Sequence, residues 1–329
     1  MFESKLAALL GKYLGEYVHG LDGDDLKVSV WKGDVVLKNL KLKSDALKVL
    51  GIPGLVVKAG LLGSLTLKLP WNKLGSEPVV VEFDRIYILA ALDNSGKGNL
   101  AEDLDEANVQ EKAYKRRRVD AAVSQWLKQN KSKSKSDDGS SGGGYFGGVI
   151  QTVLGNLQLS FTNLHIRVED PYWGISFHFT IQELSGITVD ESGKPTFVTS
   201  GYKEHLRKLF KLRKMTVYCD SQSQELVPDE PWEDLSGDAW DDFFLPHIEA
   251  TSDNLSCWFL LRPVDANLTY ERTYRTKASD TSHIDHRLNL SLDEISLSSS
   301  QMQYLSIQRM LQTFELLSTR AAHFRYRPY

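Results

Sequence analysis

The side chains of this 329-residue sequence that could do bond chemistry are scattered along it. His165, Arg167, Glu169 and Asp170 bring an imidazole, a guanidinium and two carboxylates together, the groups that general acid–base catalysis uses. Their alternate spacing on a strand, with opposite charges, predicts a cross-strand pair on a wet face instead. Gly142-Gly143-Gly144-Tyr145-Phe146-Gly147 has the form of a dinucleotide fingerprint, but it follows a Lys/Ser/Gly stretch where the motif needs a strand. Gly193-Lys194-Pro195-Thr196 lacks the glycine spacing of a phosphate loop, and His283-Ile284-Asp285-His286 lacks a glutamate at zincin spacing. Cys219 and Cys257 are too few for a disulfide framework and too far apart in sequence for a zinc knuckle; buried reduced thiols are expected. The reading is of a chain that is not an enzyme and has no metal or cofactor.

Composition narrows the partners. Lys+Arg 39 against Asp+Glu 43 gives a net charge of -4, without the basic excess that phosphate neutralisation requires, so no nucleic acid is expected. The start, Met1-Phe2-Glu3-Ser4-Lys5, lacks the pattern of a secretory signal and predicts a cytosolic protein. The most apolar stretch, Val49 to Leu69, is broken by Pro53, Lys58 and four glycines, so no bilayer-spanning helix is predicted.

The elements around these residues follow from periodicity. Phe2, Leu6, Leu9, Leu10, Tyr13, Leu14, Tyr17 and Val18 recur at helical spacing and predict an amphipathic amino-terminal helix. Period-two alternation then predicts strands at Leu26–Val30, Val35–Leu37 with Leu40–Leu42, Leu55–Ala59, Ser64–Leu69 and Val79–Ala90. A short helix is expected at Asp45–Leu50 and a mostly wet one over Ala101–Asn130. Residues 131–148 read as a flexible Lys/Ser/Gly linker, dividing a segment 1–130 from a continuation at 149–329. Beyond it come a short helix at Val149–Leu154, then Leu157, Leu159 and Phe161, with a change of phase at Thr162-Asn163 to Leu164, Ile166 and Val168, the mark of a β-bulge. A hairpin strand follows through Ile175, Phe177, Phe179 and Ile181. Tyr202–Cys219 reads as mixed helix and strand, and the acidic run Asp229–Asp242 as a loop folded back on the sheet or an adaptor-binding peptide. Strands are expected at Asn254–Leu261, Ala266–Arg272 and Arg287–Leu297, and a final amphipathic helix carries Met302, Leu305, Met310, Leu311, Phe314 and Leu317.

The fold class is therefore α+β, dominated by an antiparallel sheet of about nine strands, roughly 43 Å wide at about 4.8 Å per strand. Its apolar side needs cover that the few apolar helices are too narrow to supply. Either the sheet closes on itself as a sandwich, an interaction scaffold, or it leaves an apolar trough for ligands.

Several blocks bear on that choice. Trp31-Lys32-Gly33-Asp34-Val35-Val36-Leu37-Lys38-Asn39-Leu40-Lys41-Leu42-Lys43, preceded by Leu14-Gly15-Glu16-Tyr17-Val18, closely resembles the chorein signature of the vacuolar protein sorting thirteen proteins. The autophagy-related bridge proteins carry a looser version. Gly63-Ser64-Leu65-Thr66-Leu67-Lys68-Leu69-Pro70-Trp71, Pro78-Val79 and Asn156 through Asp170 match in the same order, so the resemblance spans nearly the whole chain. The family often has an aromatic near Val168 and a tryptophan near Cys219, both packing positions. The resemblance implies a long, twisted, U-shaped sheet with an apolar concave groove, capped by the amino-terminal helix, and a chain that is the first segment of a longer protein.

It also implies a bridge-like carrier of glycerophospholipids at endoplasmic reticulum contact sites: a cytosolic, peripheral protein with lipid as cargo and scramblase or adaptor proteins as partners. On that reading acyl chains contact Leu65, Leu67, Leu69, Val81, Phe83, Leu157, Leu159, Phe161, Ile175, Phe177, Phe179, Leu288, Leu290 and Leu292. Met1, Phe2, Lys5 and Leu6 would dock the helix on the donor membrane. Because apolar contact is nondirectional, the groove is expected to select tails and be nearly blind to headgroup.

Overall fold

The computed structural model describes residues 17–19, 34–44, 46, 54–70, 73–92, 116, 119, 152–153, 155–198, 205–249, 259–273 and 286–323. Met1, Phe2, Lys5 and Leu6, the strand expected at Leu26–Val30 and residues 131–148 lie outside them, as do the helix expected at Ala101–Asn130, save 116 and 119, and all but 17 and 18 of the amino-terminal one.

Eight strands form one mixed sheet in chain order: β1 (Asp34–Lys41), β2 (Leu55–Lys68), β3 (Val80–Leu92), β4 (Gln158–Asp170), β5 (Ile175–Thr188), β6 (His205–Asp220), β7 (Phe259–Thr273) and β8 (His286–Leu292). Among the described residues two long helices accompany it, α1 (Gly237–Glu249) and α2 (Gln301–His323). The sheet is open, with β1 and β8 at its edges, which removes the closed sandwich. Neighbours pair antiparallel except β3 and β4, which run parallel across the crossover 93–157; the purely antiparallel expectation is corrected there.

The strands are longer and fewer than alternation suggested. The stretches around Leu55–Ala59 and Ser64–Leu69 belong to the single strand β2, and the described end of Asn254–Leu261, from Phe259, runs on through Ala266–Arg272 as β7. Tyr202–Cys219, expected to be partly helical, is from His205 onward the strand β6, which ends one residue later at Asp220. A bend lies at one level of the sheet in four of these strands, β1, β3, β4 and β6, each of which carries a left-handed residue there. Asn39, Arg85, Asn163 and Lys214 have positive φ, at 53°, 59°, 53° and 46°.

These residues lie in one transverse row. Lys38 faces Ser64 and Leu40 faces Leu62; Asp84 faces Thr162 and Ile86 faces Leu164; Thr162 faces Glu183 and Leu164 faces Ile181. No strand gains an extra residue across this row in β1 to β5, so the phase change at Thr162-Asn163 is a left-handed residue and not a bulge. At each crossing two consecutive side chains turn to the same side. Asp84 accepts from Thr162 Oγ1 at 2.6 Å and Asn163 Nδ2 at 2.9 Å, while Arg85 reaches Asp241 of α1 at 3.0 Å. Phe83 and Ile86 therefore share the opposite face.

On the polar face, α1 and the segment before it cover the half of the sheet beyond the bend. Trp240, Phe244 and Ile248, spaced four apart, pack on Ala59, Leu61, Tyr87 and Leu89. The acidic run folds back on the sheet, with its second part helical, and Trp240 is fully buried. His165, Glu169 and Asp170, expected on a wet surface, are buried as well. Phe244 O can only accept, so His165 Nδ1–H donates to it at 3.0 Å; His165 Nε2 then accepts from His178 Nδ1–H at 2.9 Å, and His178 Nε2 from Ser176 Oγ at 2.9 Å.

Candidate functional site

The apolar face is built by registry. Leu37, Leu65, Phe83, Phe161, Leu184, Leu212, Ala266 and Leu292 face one another across all eight strands. The next row toward one rim is Val35, Leu67, Val81, Leu159, Gly186, Phe210, Leu268 and Leu290. Across the bend, Leu40, Leu62, Ile86, Leu164, Ile181, Met215 and Val264 continue the face through seven strands. The row on the reverse side of the sheet, Val36, Thr66, Glu82, Ser160, Ser185, Lys211, Asn267 and Ser291, is almost wholly polar.

The bend makes this continuity. Strict alternation through Asn163 would put Leu164, Ile166 and Val168 on the polar side. A left-handed residue reverses the phase, so one strand can curve and still present apolar side chains to one side along its whole length. The asparagines accept that conformation readily, whereas Arg85 and Lys214 pay about 1–2 kcal/mol for it. Each is held: Arg85 by Asp84 and Asp241, and Lys214 by its backbone N–H on Asp265 Oδ1 at 2.8 Å. Gly63 answers Arg85, because a Cβ there would stand 2.6 Å from Arg85 Nε.

One rim of the face is roofed. Along α2, Gln303 Nε2 donates to Cys219 O of β6, Thr313 Oγ1 donates to Asp170 Oδ2 of β4, and Leu317 lies against Gly54 beside β2. The fourteen-residue rise from 303 to 317 is about 21 Å, matching four strand spacings of about 4.8 Å. α2 is thus a bar laid across the strand ends, with Met310, Phe314 and Leu317 on Leu55, Leu92, Val168 and Phe177. Burial at this rim also raises the Cys219 thiol to about 11.

The face between the rims is left partly open. Val81, Phe83, Leu157, Leu159, Phe161, Phe177 and Phe179 are half-buried, and Phe83 and Phe161 stack at 4.8 Å between centroids. On β8, Leu288, Leu290 and Leu292 are 65%, 61% and 41% exposed. Leu65, Leu67, Leu69 and Ile175 are buried by their own chain, so of the fourteen residues singled out in the sequence these four offer little free surface. Sequence reasoning missed Leu184, Leu212, Phe210 and Leu268, which stand in these rows; on β6 the signal, Phe210 and Leu212 two apart, was obscured by the lysines and arginines around them.

Among the described residues no group of three or more His, Cys, Asp or Glu is arranged to hold a metal ion, and no helix is long and apolar enough to cross a membrane. The surface can shelter hydrocarbon from water along a continuous strip.

Comparison with known proteins bears on what such a strip serves. A family model described as the VPS13-like family N-terminal region matches residues 1–329. The intermembrane lipid transfer protein VPS13 of Chaetomium thermophilum is 30% identical over 339 residues, covering all of this chain and 10% of that protein. VPS13C of Homo sapiens, also named an intermembrane lipid transfer protein, is 25% identical over 383 residues, again 100% of this chain and 10% of its own length. The intermembrane lipid transfer protein vps13F of Dictyostelium discoideum is 50% identical over 91 residues, 28% of the chain. The chain thus spans about a tenth of the length of the first two relatives.

Proposed function

The chain belongs to the VPS13-like family, whose N-terminal region it matches throughout, and from that premise we propose that its apolar face carries the acyl chains of glycerophospholipids between membranes. The observation that carries the reading is the apolar row that crosses all eight strands, in which Phe83, Phe161, Leu184 and Leu212 are half-buried and Leu292 is exposed. A lipid of about 30 methylenes entering water costs on the order of 24 kcal/mol, at about 0.8 kcal/mol each. Removing that cost is the work of a carrier, and it needs no bond chemistry; a nonenzymatic role follows.

Tails lie across the strands' apolar rows, between the α2 rim and the open rim. A tail moving from strand to strand meets equivalent side chains at each step: Phe83, then Phe161, then Leu184. Net free energy changes little along the path, so movement follows lipid supply at either end. The open strip from Ile166 to Leu157 is roughly 30 Å along the strand at about 3.3 Å per residue, ample for one leaflet's hydrocarbon, half of a core about 30 Å thick. The amino-terminal residues Met1, Phe2, Lys5 and Leu6 dock on the endoplasmic reticulum surface in this proposal, making the protein cytosolic and peripheral at contact sites, with scramblase or adaptor proteins receiving the cargo.

Mass spectrometry of organic extracts from the purified chain tests the reading, with uptake of fluorescent phospholipid as the second arm. Co-purified glycerophospholipid is expected. Leu159→Glu with Leu290→Glu places two charges in one row, away from α2, and should reduce loading at least tenfold with an unchanged circular dichroism spectrum. Absence of lipid from the parent chain, or full loading of the folded double variant, overturns it.

A further inference from the structure

The open rim carries one group that apolar contact does not explain. Lys208 of β6 is in register with Thr188 of β5 and Tyr270 of β7, and Tyr270 with Leu288 of β8. Two and four residues on, Phe210 and Leu212 stand in the apolar rows, and the bend lies beyond them at Lys214, so Lys208 extends the same face by one row. Its Nζ donates to Leu157 O at 2.9 Å. Lys208 is half-buried and no carboxylate among the described residues stands within ion-pairing distance of it.

The nearby acids are turned away. Glu271 belongs to the other face, where it takes Arg207 at 2.7 Å and Arg287 at 3.5 Å. An ammonium that is partly desolvated, with one neutral acceptor and no counter-ion, is costly, and its remaining N–H donors call for an anion. Beside it, the Tyr270 hydroxyl and His286 Nδ1 are 2.9 Å apart and the rings stack, holding the phenol in place.

Resting on the lipid-carrier reading, we propose that Lys208 and Tyr270 form a phosphate-recognition station at the open rim, taking the headgroup phosphate of a phospholipid whose tails lie on the adjoining row of Phe210 and Leu268. Lys208 supplies the charge; with His286 in its Nδ1–H tautomer, the imidazole donates to the Tyr270 oxygen and leaves the Tyr270 O–H, on the neighbouring strand, to donate to the phosphate. Tail contact alone is indifferent to headgroup; this station makes the rim discriminate lipids with a phosphate from those without one. Burial pushes the Lys208 ammonium down to about 8, which still leaves it mostly charged at neutral pH, and a bound phosphate would push it up again.

The test compares uptake of phosphatidic acid and diacylglycerol with identical acyl chains by the 329-residue chain, by Lys208→Met and by Lys208→Arg. The parent should favour phosphatidic acid roughly tenfold, the scale of one charge-assisted hydrogen bond. Lys208→Met should bring the ratio near one with diacylglycerol uptake unchanged, and Lys208→Arg should restore it. Phosphatidic acid, and not diacylglycerol, should also slow acetylation of Lys208 by acetic anhydride. Equal uptake of both lipids by the parent overturns the station and leaves the carrier reading standing; failure to take up either lipid overturns the carrier reading and the station with it. Protection of Lys208 by millimolar inorganic phosphate without any preference for phosphatidic acid assigns the lysine to a soluble anion and overturns the headgroup assignment.

Discussion

Acid should loosen the half of the sheet beneath α1, and His165 sets how much. The ring is 1% exposed, and burial holds its imidazole at about 3, with His247 and Arg167 adding to the depression and the hydrogen bond to Phe244 O opposing it. His178 and His247 are lowered as well, chiefly by burial; Tyr218 lies against both, and Asp220 acts on His247 in the opposite sense. Above about pH 6.5, the ordinary histidine value, His165 is neutral in folded and unfolded chains and its contribution is complete. As pH falls below that, the unfolded chain takes up the proton first, and stability drains away until the folded ring also protonates near 3. At pH 5 the loss from His165 alone is about 2 kcal/mol, from about 1.5 pH units at roughly 1.4 kcal/mol each. His178 moves in the same direction. Urea unfolding at pH 7.5 and pH 5.0 measures it. His165→Gln, which keeps a donor for Phe244 O, should be less stable at pH 7.5 but lose about 2 kcal/mol less than the parent between the two pH values. An unchanged midpoint in the parent, or the same pH dependence in both chains, refutes the assignment of a buried neutral imidazole.

Two further outcomes probe the bend and the roofed rim. Gly63→Ala puts a methyl group against Arg85 and should cost about 1–3 kcal/mol in chemical denaturation, most of it recovered in the Gly63→Ala, Arg85→Gly pair; additive losses would show that the two positions do not answer each other. The Cys219 thiol, buried and raised to about 11, should react with a disulfide reagent at pH 8 only as fast as the α2 rim opens, and immediate reaction would place that rim in the open state.

Much of the architecture was legible because a sheet with one apolar side writes a period of two into its strands. Leu157, Leu159 and Phe161 followed by Leu164, Ile166 and Val168 even announced the bend, since only a change of phase keeps both triplets on one side. What the pattern could not carry was the means. Asparagine at 39 and 163 is a natural left-handed residue, but nothing local marks Arg85 or Lys214, whose conformation depends on Asp241 and Asp265, 156 and 51 residues away. The parallel β3–β4 pair depends on a long crossover for the same reason. His165 and Glu169 looked wet because their cover, Leu226 through Ile248, lies far off in the chain. That cover had a readable signal in Trp240, Phe244 and Ile248 at spacing four, masked by the surrounding acids and by Pro246 within the helix. Of the candidate face, the outer strands' leucines were legible as apolar, whereas the burial of Leu67 and Leu69 depended on Val35 and Val79 packing beside them.

Both long helices grip the sheet on the same side of the crease: α1 beneath and α2 above clamp the wing that contains Tyr87 to Leu92 and Leu164 to Asp170. The other wing has neither clamp. On the carrier reading, a thicker guest would be met by movement of the unclamped wing, with strand pairing intact on both sides of the line, so that the gauge of the groove adjusts while its mounting stays fixed.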